Sequence, residues 1–95
     1  MQANFHCRFG EIDLIFQDKK TLVFVEVKCR FSSRFGKPEE AVTPTKLNSI
    51  RKTIDYFYCQ NKDLPKLCRI DVVGIEMNPV NLKPTSVRHL INAAG

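Results

Sequence analysis

Eight residues decide the fold of this chain: TLVFVEVK, residues 21–28. They are dense in β-branched and aromatic side chains, which is typical of a β-strand. Between Leu22 and Val25 the residues are apolar on both faces, and this pattern indicates a central strand that other layers cover. Just before it, residues 10–16, GEIDLIF, alternate acidic and apolar side chains. The two stretches together predict a β-hairpin.

The pairing of this hairpin brings two carboxylates together. If Leu14 lies opposite Val25, a four-residue loop remains at residues 18–21, and Asp13 lies directly opposite Glu26. Carboxylates so placed repel each other unless a cation lies between them. Lys28 shares the face of Glu26 and provides part of that compensation, and a hard divalent cation would provide more. Solvated strand ends explain the same residues equally well, so the residue chemistry leaves both interpretations open.

A long connection and one helix follow the hairpin. Residues 29–41 are polar and predict a loop. Thr43 and Pro44 predict the N-cap and first position of a helix that runs to about Gln60. Apolar side chains recur along it at steps of three and four residues, as expected of an amphipathic helix. These positions are Leu47, Ile50, Ile54 and Phe57.

The remaining sequence predicts a third strand over residues 68–75 and a short strand that runs into a helical turn over residues 86–94. This order of elements indicates an α/β fold with a mixed central β-sheet flanked by helices. At 95 residues, the chain is expected to form a single domain.

Composition narrows the class of protein further. The sequence is 43% hydrophobic and 26% charged, which is ordinary for soluble globular proteins. Its apolar runs are too short to span a bilayer and it begins with no signal peptide, so we expect a cytoplasmic protein. The four cysteines are widely scattered, and we expect them to be reduced and mostly packed.

The net charge of +5 is concentrated in one part of the chain. Residues 28–52 carry seven basic residues against two acidic ones. The basic residues are Lys28, Arg30, Arg34, Lys37, Lys46, Arg51 and Lys52. Cations on a loop beside a metal site suit contacts to the phosphates of a nucleic acid, whereas simple solubilisation of the loop is the alternative.

The motifs resemble those of a known group of nucleases. Asp13, twelve intervening residues and the segment Glu26-Val27-Lys28 resemble the D…(D/E)xK signature of the PD-(D/E)xK superfamily, with the spacing of archaeal Holliday junction resolvases. Ordered blocks along the whole chain resemble the small bacterial YraN-like family. These blocks are residues 9–15, 24–28, 35–42, 69–73 and 89–93, together with Lys46.

This resemblance implies one nuclease-like domain over residues 1–95 with a restriction-endonuclease-like fold. It implies that Asp13 and Glu26 bind Mg²⁺ or Mn²⁺, with the carbonyl of Val27 as a further ligand. Lys28 takes the position of the catalytic lysine. Lys46 matches a position that contacts DNA or supports the site.

Two further acids receive weaker assignments from the resemblance. Glu11 is expected to support the metal ligands from a second layer. Asp71 either does the same or forms a structural ion pair with Arg69 or Lys28. Superfamily members also carry a glutamate on a helix before the first strand, whereas this sequence starts only nine residues before Gly10. We expect either a shortened form or a protein without that acid, with an exposed apolar sheet face that favours a homodimer.

The resulting hypothesis is a metal-dependent endonuclease that hydrolyses phosphodiester bonds in DNA, with branched or structured DNA as the substrate that the resolvase likeness implies. The alternative is a non-catalytic nucleic-acid-binding protein that keeps the nuclease fold. A purely structural subunit is a third interpretation.

Overall fold

Five strands and one α-helix make up the described part of the protein, in a computed structural model that describes residues 2–31 and 36–93. In chain order the elements are β1 (Gln2–Cys7), β2 (Gly10–Asp18), β3 (Thr21–Arg30), a short 3-10 helix (Pro38–Ala41), α1 (Pro44–Gln60), β4 (Leu67–Met77) and β5 (Pro84–Leu90). The strands form one sheet in the order β1-β2-β3-β4-β5. The predicted α/β fold with a mixed sheet is confirmed.

The β2–β3 hairpin has the predicted register. Leu14 pairs with Val25, and the ladder continues to Asp18 and Thr21. The predicted four-residue loop is therefore wrong, because residues 18 and 21 belong to the strands and only Lys19 and Lys20 form the turn. Lys19 has a φ of 58°, the left-handed conformation that tight two-residue turns use.

The first strand was not predicted. β1 pairs antiparallel with β2, with Phe5 opposite Ile12. Its sequence, QANFHC, carries no run of β-branched residues, and most of its side chains are exposed. Pairing with the edge of β2 therefore specifies this strand, whereas its own pattern does not.

The centre of the sheet is a parallel pair. β3 and β4 run side by side from the pair Thr21 and Leu67 to the pair Arg30 and Glu76. The 3-10 helix and α1 lie in the crossover that a parallel connection requires. Val23 and Phe24 of β3 are both fully buried, although their side chains alternate between the two faces of the sheet.

The helix covers one face of the sheet. Ile50, Ile54 and Phe57 of α1 pack against a cluster of buried strand residues. These residues are Ile12, Ile15, Leu22, Phe24 and Ile70. The predicted boundaries are confirmed: the Thr43 side chain accepts a hydrogen bond from the Lys46 backbone N–H, and the helix ends at Gln60.

The C-terminal part differs from the prediction in detail. β4 is longer than expected, and the predicted loop of residues 29–41 contains the 3-10 helix, whose first turn begins at Pro38. The strand predicted within residues 86–94 is present, but it begins earlier and spans residues 84–90. It leads into a turn at residues 91–93, while residue 94 lies outside the described residues.

The expectation that the cysteines are mostly packed is wrong. Cys29, Cys59 and Cys68 are exposed and only Cys7 is half-buried. Within residues 2–31 and 36–93, no helix is long and apolar enough to cross a membrane.

Candidate active site

A buried glutamate occupies the central strand. Glu26 is only 4% exposed. It lies on β3 beside Val72 of β4, between two apolar neighbours on its own strand. A carboxylate taken out of water needs charged or hydrogen-bonding partners, so its surroundings determine what this position can do.

Two lysines approach one oxygen of this glutamate. The Lys28 Nζ lies 3.2 Å from Glu26 Oε1, and the Lys46 Nζ lies 3.7 Å from the same atom. Lys28 is two residues further along β3, whereas Lys46 reaches in from the first turn of α1. Both lysine side chains are about a third exposed, so a ligand in solvent can reach them.

The other oxygen of Glu26 has no partner. Oε2 is buried and makes no hydrogen bond among the described residues. Leaving a buried acceptor unsatisfied costs about 1–3 kcal/mol, and such groups call for an explanation such as a bound ion. One carboxylate oxygen is thus compensated by lysines, while the second is buried without a hydrogen-bond partner among the described residues.

Asp13 reaches the same segment of β3. The β2–β3 ladder stops at Leu14 and Val25, one step short of the predicted pair of Asp13 with Glu26. Instead, the Asp13 Oδ2 accepts a hydrogen bond of 2.7 Å from the Val27 backbone N–H. The fold therefore brings Asp13 to the Glu26-Val27-Lys28 segment through this bond and not through the predicted cross-strand pair with Glu26.

Glu11 lies two residues before Asp13 at the start of β2. It pairs with His6 of β1, and its side chain is exposed. Glu11 therefore lies on the same strand as Asp13, and β3 separates that strand from β4.

Asp71 does not belong to this group. It pairs with Val25 across the β3–β4 ladder, while Glu26 pairs with Val72, so Asp71 and Glu26 project from opposite faces of the sheet. The fold therefore does not place Asp71 where its side chain could support Glu26. The alternative, a structural ion pair with Arg69, is present at 3.1 Å.

The side chain of Asp71 is fully buried and saturated with partners. The Arg69 Nε and the Asn92 backbone N–H donate to it, and the His89 Nε2 lies 2.8 Å from its Oδ2. Burial raises the pKa of the Asp71 carboxyl, but these three hydrogen bonds outweigh burial and hold the pKa below its usual value. Asp71 thus fastens the chain after β5 to the sheet.

A second ion-pair cluster was not predicted from the sequence. The Arg88 guanidinium of β5 binds both oxygens of Glu39, with Nε–Oε2 at 2.6 Å and Nη2–Oε1 at 3.0 Å. It also binds Glu76 at 3.0 Å. The hydrogen bonds from Arg88 lower the pKa of the Glu39 carboxyl. This cluster attaches the 3-10 helix to the C-terminal half of the sheet.

Gly74 makes room for that attachment. A Cβ atom at Gly74 would collide with the carboxylate of Glu39. Gly74 pairs with Lys28 across the parallel ladder, so the 3-10 helix rests beside the strand that carries the candidate site. A glycine inside an apolar strand pattern was the signal that could have indicated this close approach.

The basic residues of the crossover are spread over three elements. Lys28 and Arg30 lie on β3, Lys37 precedes the 3-10 helix, and Lys46 lies at Glu26. Arg51 and Lys52 are exposed on α1. Arg34 lies outside the described residues. The structure thus gathers Lys28 and Lys46 at Glu26 and distributes the other described cations along the connection.

The carboxylates available for a metal are few. Within the described part of the chain, no group of three or more His, Cys, Asp or Glu side chains is placed to hold a metal ion. The candidate ligand set is therefore two carboxylates, Asp13 and Glu26, with the carbonyl of Val27. Mg²⁺ is commonly bound by one or two carboxylates with water and phosphate completing its shell, so this set fits a hard divalent cation.

Fold and site together define an α/β protein whose central strand presents a buried glutamate between two lysines. The chain belongs to the Uncharacterised protein family UPF0102, whose family model matches residues 1–75. The expected membership of the YraN-like family is thereby confirmed.

Relatives extend the match over almost the whole chain. The UPF0102 protein of Syntrophomonas wolfei is 43% identical over 94 residues, which cover 98% of this chain and 78% of the relative. The one of Caldicellulosiruptor saccharolyticus is 42% identical over 85% of this chain and 69% of its own length. The one of Syntrophus aciditrophicus is 48% identical over 83% of this chain, and the match spans 62% of its own length.

Proposed function

We propose that this chain is a cytoplasmic, metal-dependent DNA endonuclease of the PD-(D/E)xK superfamily, with a restriction-endonuclease-like fold. The single observation that carries this proposal is the buried, unpartnered Oε2 of Glu26. Glu26 lies one residue before Val27, whose backbone N–H donates to the Asp13 carboxylate, and the other oxygen of Glu26, Oε1, lies beside two lysines. The order of hairpin, crossover helix and parallel strand supports the assignment of the fold.

In this proposal Asp13, Glu26 and the carbonyl of Val27 hold Mg²⁺ or Mn²⁺. When bound, such a cation polarises a phosphate oxygen and lowers the pKa of coordinated water. Unlike aspartate side chains at a solvated strand end, Glu26 is held on a central strand, so its position is fixed before any ligand arrives.

The two lysines have separate parts in this proposal. Lys28, about a third exposed, places its ammonium group where negative charge develops on a scissile phosphate and stabilises that charge. Lys46, which lies on α1, contacts Glu26 Oε1 and so fixes the direction in which the other oxygen, Oε2, points. The cations of the crossover, Arg30 to Lys52, contact the phosphates on either side without reading the sequence.

The direct test is cleavage of branched, single-stranded and duplex DNA with Mg²⁺ or Mn²⁺. We expect Glu26→Gln and Lys28→Met to reduce cleavage at least about a hundredfold, the scale of losing an electrostatic catalytic group. The exposed residues Asp63 and Lys66 supply matched controls, Asp63→Asn and Lys66→Met, which should cleave like the wild type. Cleavage that is unchanged in both site variants would overturn the assignment.

The concentration of cations in residues 28–52 favours one second candidate, a non-catalytic nucleic-acid-binding protein. It predicts binding that weakens steeply with salt, needs no metal and survives Glu26→Gln. Calorimetric titration with Mg²⁺ separates the two, because only the nuclease requires a site that Glu26→Gln abolishes. Sedimentation velocity of the same sample tests the expected homodimer.

A further inference from the structure

An aromatic groove lies between the β1–β2 turn and α1. It encloses about 400 Å³ and is lined by Phe9, Lys52, Asp55, Tyr56 and Cys59. Phe9 and Tyr56 are each 37% exposed. An exposed aromatic surface of this kind marks a binding site more often than an isolated apolar residue does.

The two rings are held in place by the core. Their centroids are 6.2 Å apart with the planes inclined by 59°. Tyr56 also contacts Phe5 at 6.4 Å, and Phe5 packs edge-on against buried Phe57 at 5.0 Å. The exposed pair is therefore the outer end of a continuous aromatic row, and its rings are oriented before any partner binds.

Cations border this aromatic surface. The Arg8 guanidinium lies over the ring of Phe9, 4.8 Å from its centroid. Lys52 lines the groove, and Asp55 is the only acid among its lining residues. Aromatic faces bordered by Arg and Lys are the surface on which single-stranded nucleic acids stack their bases and bind their phosphates.

The groove is also connected to the candidate active site. Phe9 precedes Gly10, where a Cβ atom would lie only 3.1 Å from Thr53 Oγ1, so the turn is packed closely on α1. Asp13 follows four residues after Phe9, about 13 Å away at about 3.3 Å per strand residue. That distance corresponds to about four nucleotides at the stacked rise of about 3.4 Å.

We infer that Phe9 and Tyr56 form a stacking platform for unpaired bases of a single-stranded nucleic acid, whose phosphates Arg8 and Lys52 bind. The inference rests on the proposed function, because it names the part of the substrate that lies next to the cleaved bond. Duplex DNA hides the faces of its bases, so the platform selects single-stranded segments over duplex ones. It reads no sequence, since every base has an aromatic face.

The experiment measures binding without cleavage. Fluorescence anisotropy is recorded in EDTA with a labelled single-stranded oligonucleotide and with the same sequence as a blunt duplex. We expect Phe9→Leu and Tyr56→Leu each to weaken single-strand binding at least about fivefold and duplex binding less than twofold. Tyr58→Phe is the matched control, because Tyr58 is half-buried and its hydroxyl bonds to the Pro65 carbonyl.

A second measurement uses the wild-type protein and so does not depend on how the variants fold. Photo-crosslinking with a strand that carries 5-iodouracil should give adducts at Phe9 or Tyr56. Adducts confined to other residues, or equal losses on single strand and duplex, would overturn the inference. A variant that changes the sedimentation of the protein but not its affinity for the strand would instead assign the groove to self-association.

These outcomes are distinct from failure of the nuclease proposal. If no DNA is cleaved but the single-strand preference depends on Phe9 and Tyr56, the platform stands and the catalytic assignment fails. If DNA is cleaved but the single-strand preference does not depend on either residue, the catalytic assignment stands and the platform fails.

Discussion

The carboxylate of Asp13 accepts a hydrogen bond of 2.7 Å from the backbone N–H of Val27. Regular pairing between β2 and β3 ends just before this point, at Leu14 and Val25. The bond therefore joins the two strands beyond their ladder. A residue that we propose as a metal ligand is thus also a connection between two strands, and the two roles can be separated by substitution.

Asp13→Ala should lower the free energy of unfolding by about 1–2 kcal/mol, because it removes a charge-assisted hydrogen bond and leaves the Val27 N–H without its partner. Asp13→Asn keeps an oxygen acceptor and should lose less. Urea denaturation measures both. Calorimetry should show weakened Mg²⁺ binding in the two variants alike, and equal loss of stability would mean that the hydrogen bond is not the cause.

Removing either lysine at Glu26 should destabilise the metal-free protein. Lys28→Met or Lys46→Met leaves a buried carboxylate with one cation instead of two, at a cost of about 1 kcal/mol for such partly exposed pairs. In a Glu26→Gln background the same substitutions should cost little, since the charge they compensate is gone. Thermal denaturation in EDTA provides the measurement. A lysine substitution that costs as much stability in the Glu26→Gln background as in the wild type would contradict the expectation.

Gly74→Ala should detach the 3-10 helix from the sheet. The new methyl group collides with the Glu39 carboxylate, and the expected loss of stability is about 1–3 kcal/mol, as for overpacking elsewhere. The control is the double variant Glu39→Ala with Gly74→Ala, in which the collision with the carboxylate is absent and only the 3.2 Å contact with the Glu39 backbone nitrogen remains. A double-mutant cycle from urea denaturation should show that the two substitutions are strongly non-additive.

Lowering the pH should reveal how much Asp71 contributes to the free energy of unfolding. Its pKa in the folded protein lies below the usual carboxyl value, so the unfolded chain binds the proton first as the pH falls. The stabilisation is complete above the ordinary pKa of about 3.9 and is lost as the pH drops from there through the folded-state value. The difference in unfolding free energy between wild type and Asp71→Asn should therefore shrink below about pH 4. The exposed Asp63→Asn variant serves as the control.

Salt dependence should identify the phosphate-binding cations. Arg30→Gln combined with Lys37→Gln should reduce the slope of log K against log salt concentration by about 1–2 for DNA, since each phosphate contact contributes about 0.9 for duplex DNA. The Lys66→Met variant should leave the slope unchanged. Anisotropy titrations between low and moderate salt test this, and a slope equal to that of the wild type would remove Arg30 and Lys37 from the interface.

The sequence predicts best what nearby residues decide. The apolar run at Leu22 and the alternation around Asp13 predict the hairpin and its register, and Thr43 and Pro44 locate the start of α1. Each of these signals is local: a period of two, a cap or a fixed proline φ. The same local pairing predicts that Asp13 and Glu26 come together.

What the sequence did not reveal depends on distant parts of the chain. Glu39 and Arg88 meet across 49 positions. Asp71 bonds to His89 of β5 and to the Asn92 backbone N–H beyond β5. β1 is a strand because β2 offers it an edge. None of these contacts leaves a period in the sequence, although Gly74 inside an apolar strand indicates that something packs closely against it.

The parallel pairing of β3 with β4 has a consequence for how the protein folds. The chain between Arg30 and Leu67 must close as a long loop before the central ladder forms, which is a slow kind of step because its contacts are far apart in sequence. Lys28 lies on the same strand as Glu26, whereas Lys46 lies within that loop, so the pair of lysines at Glu26 is complete only after this closure. Refolding followed by a probe at Glu26 should thus report the formation of the whole sheet and not that of the hairpin.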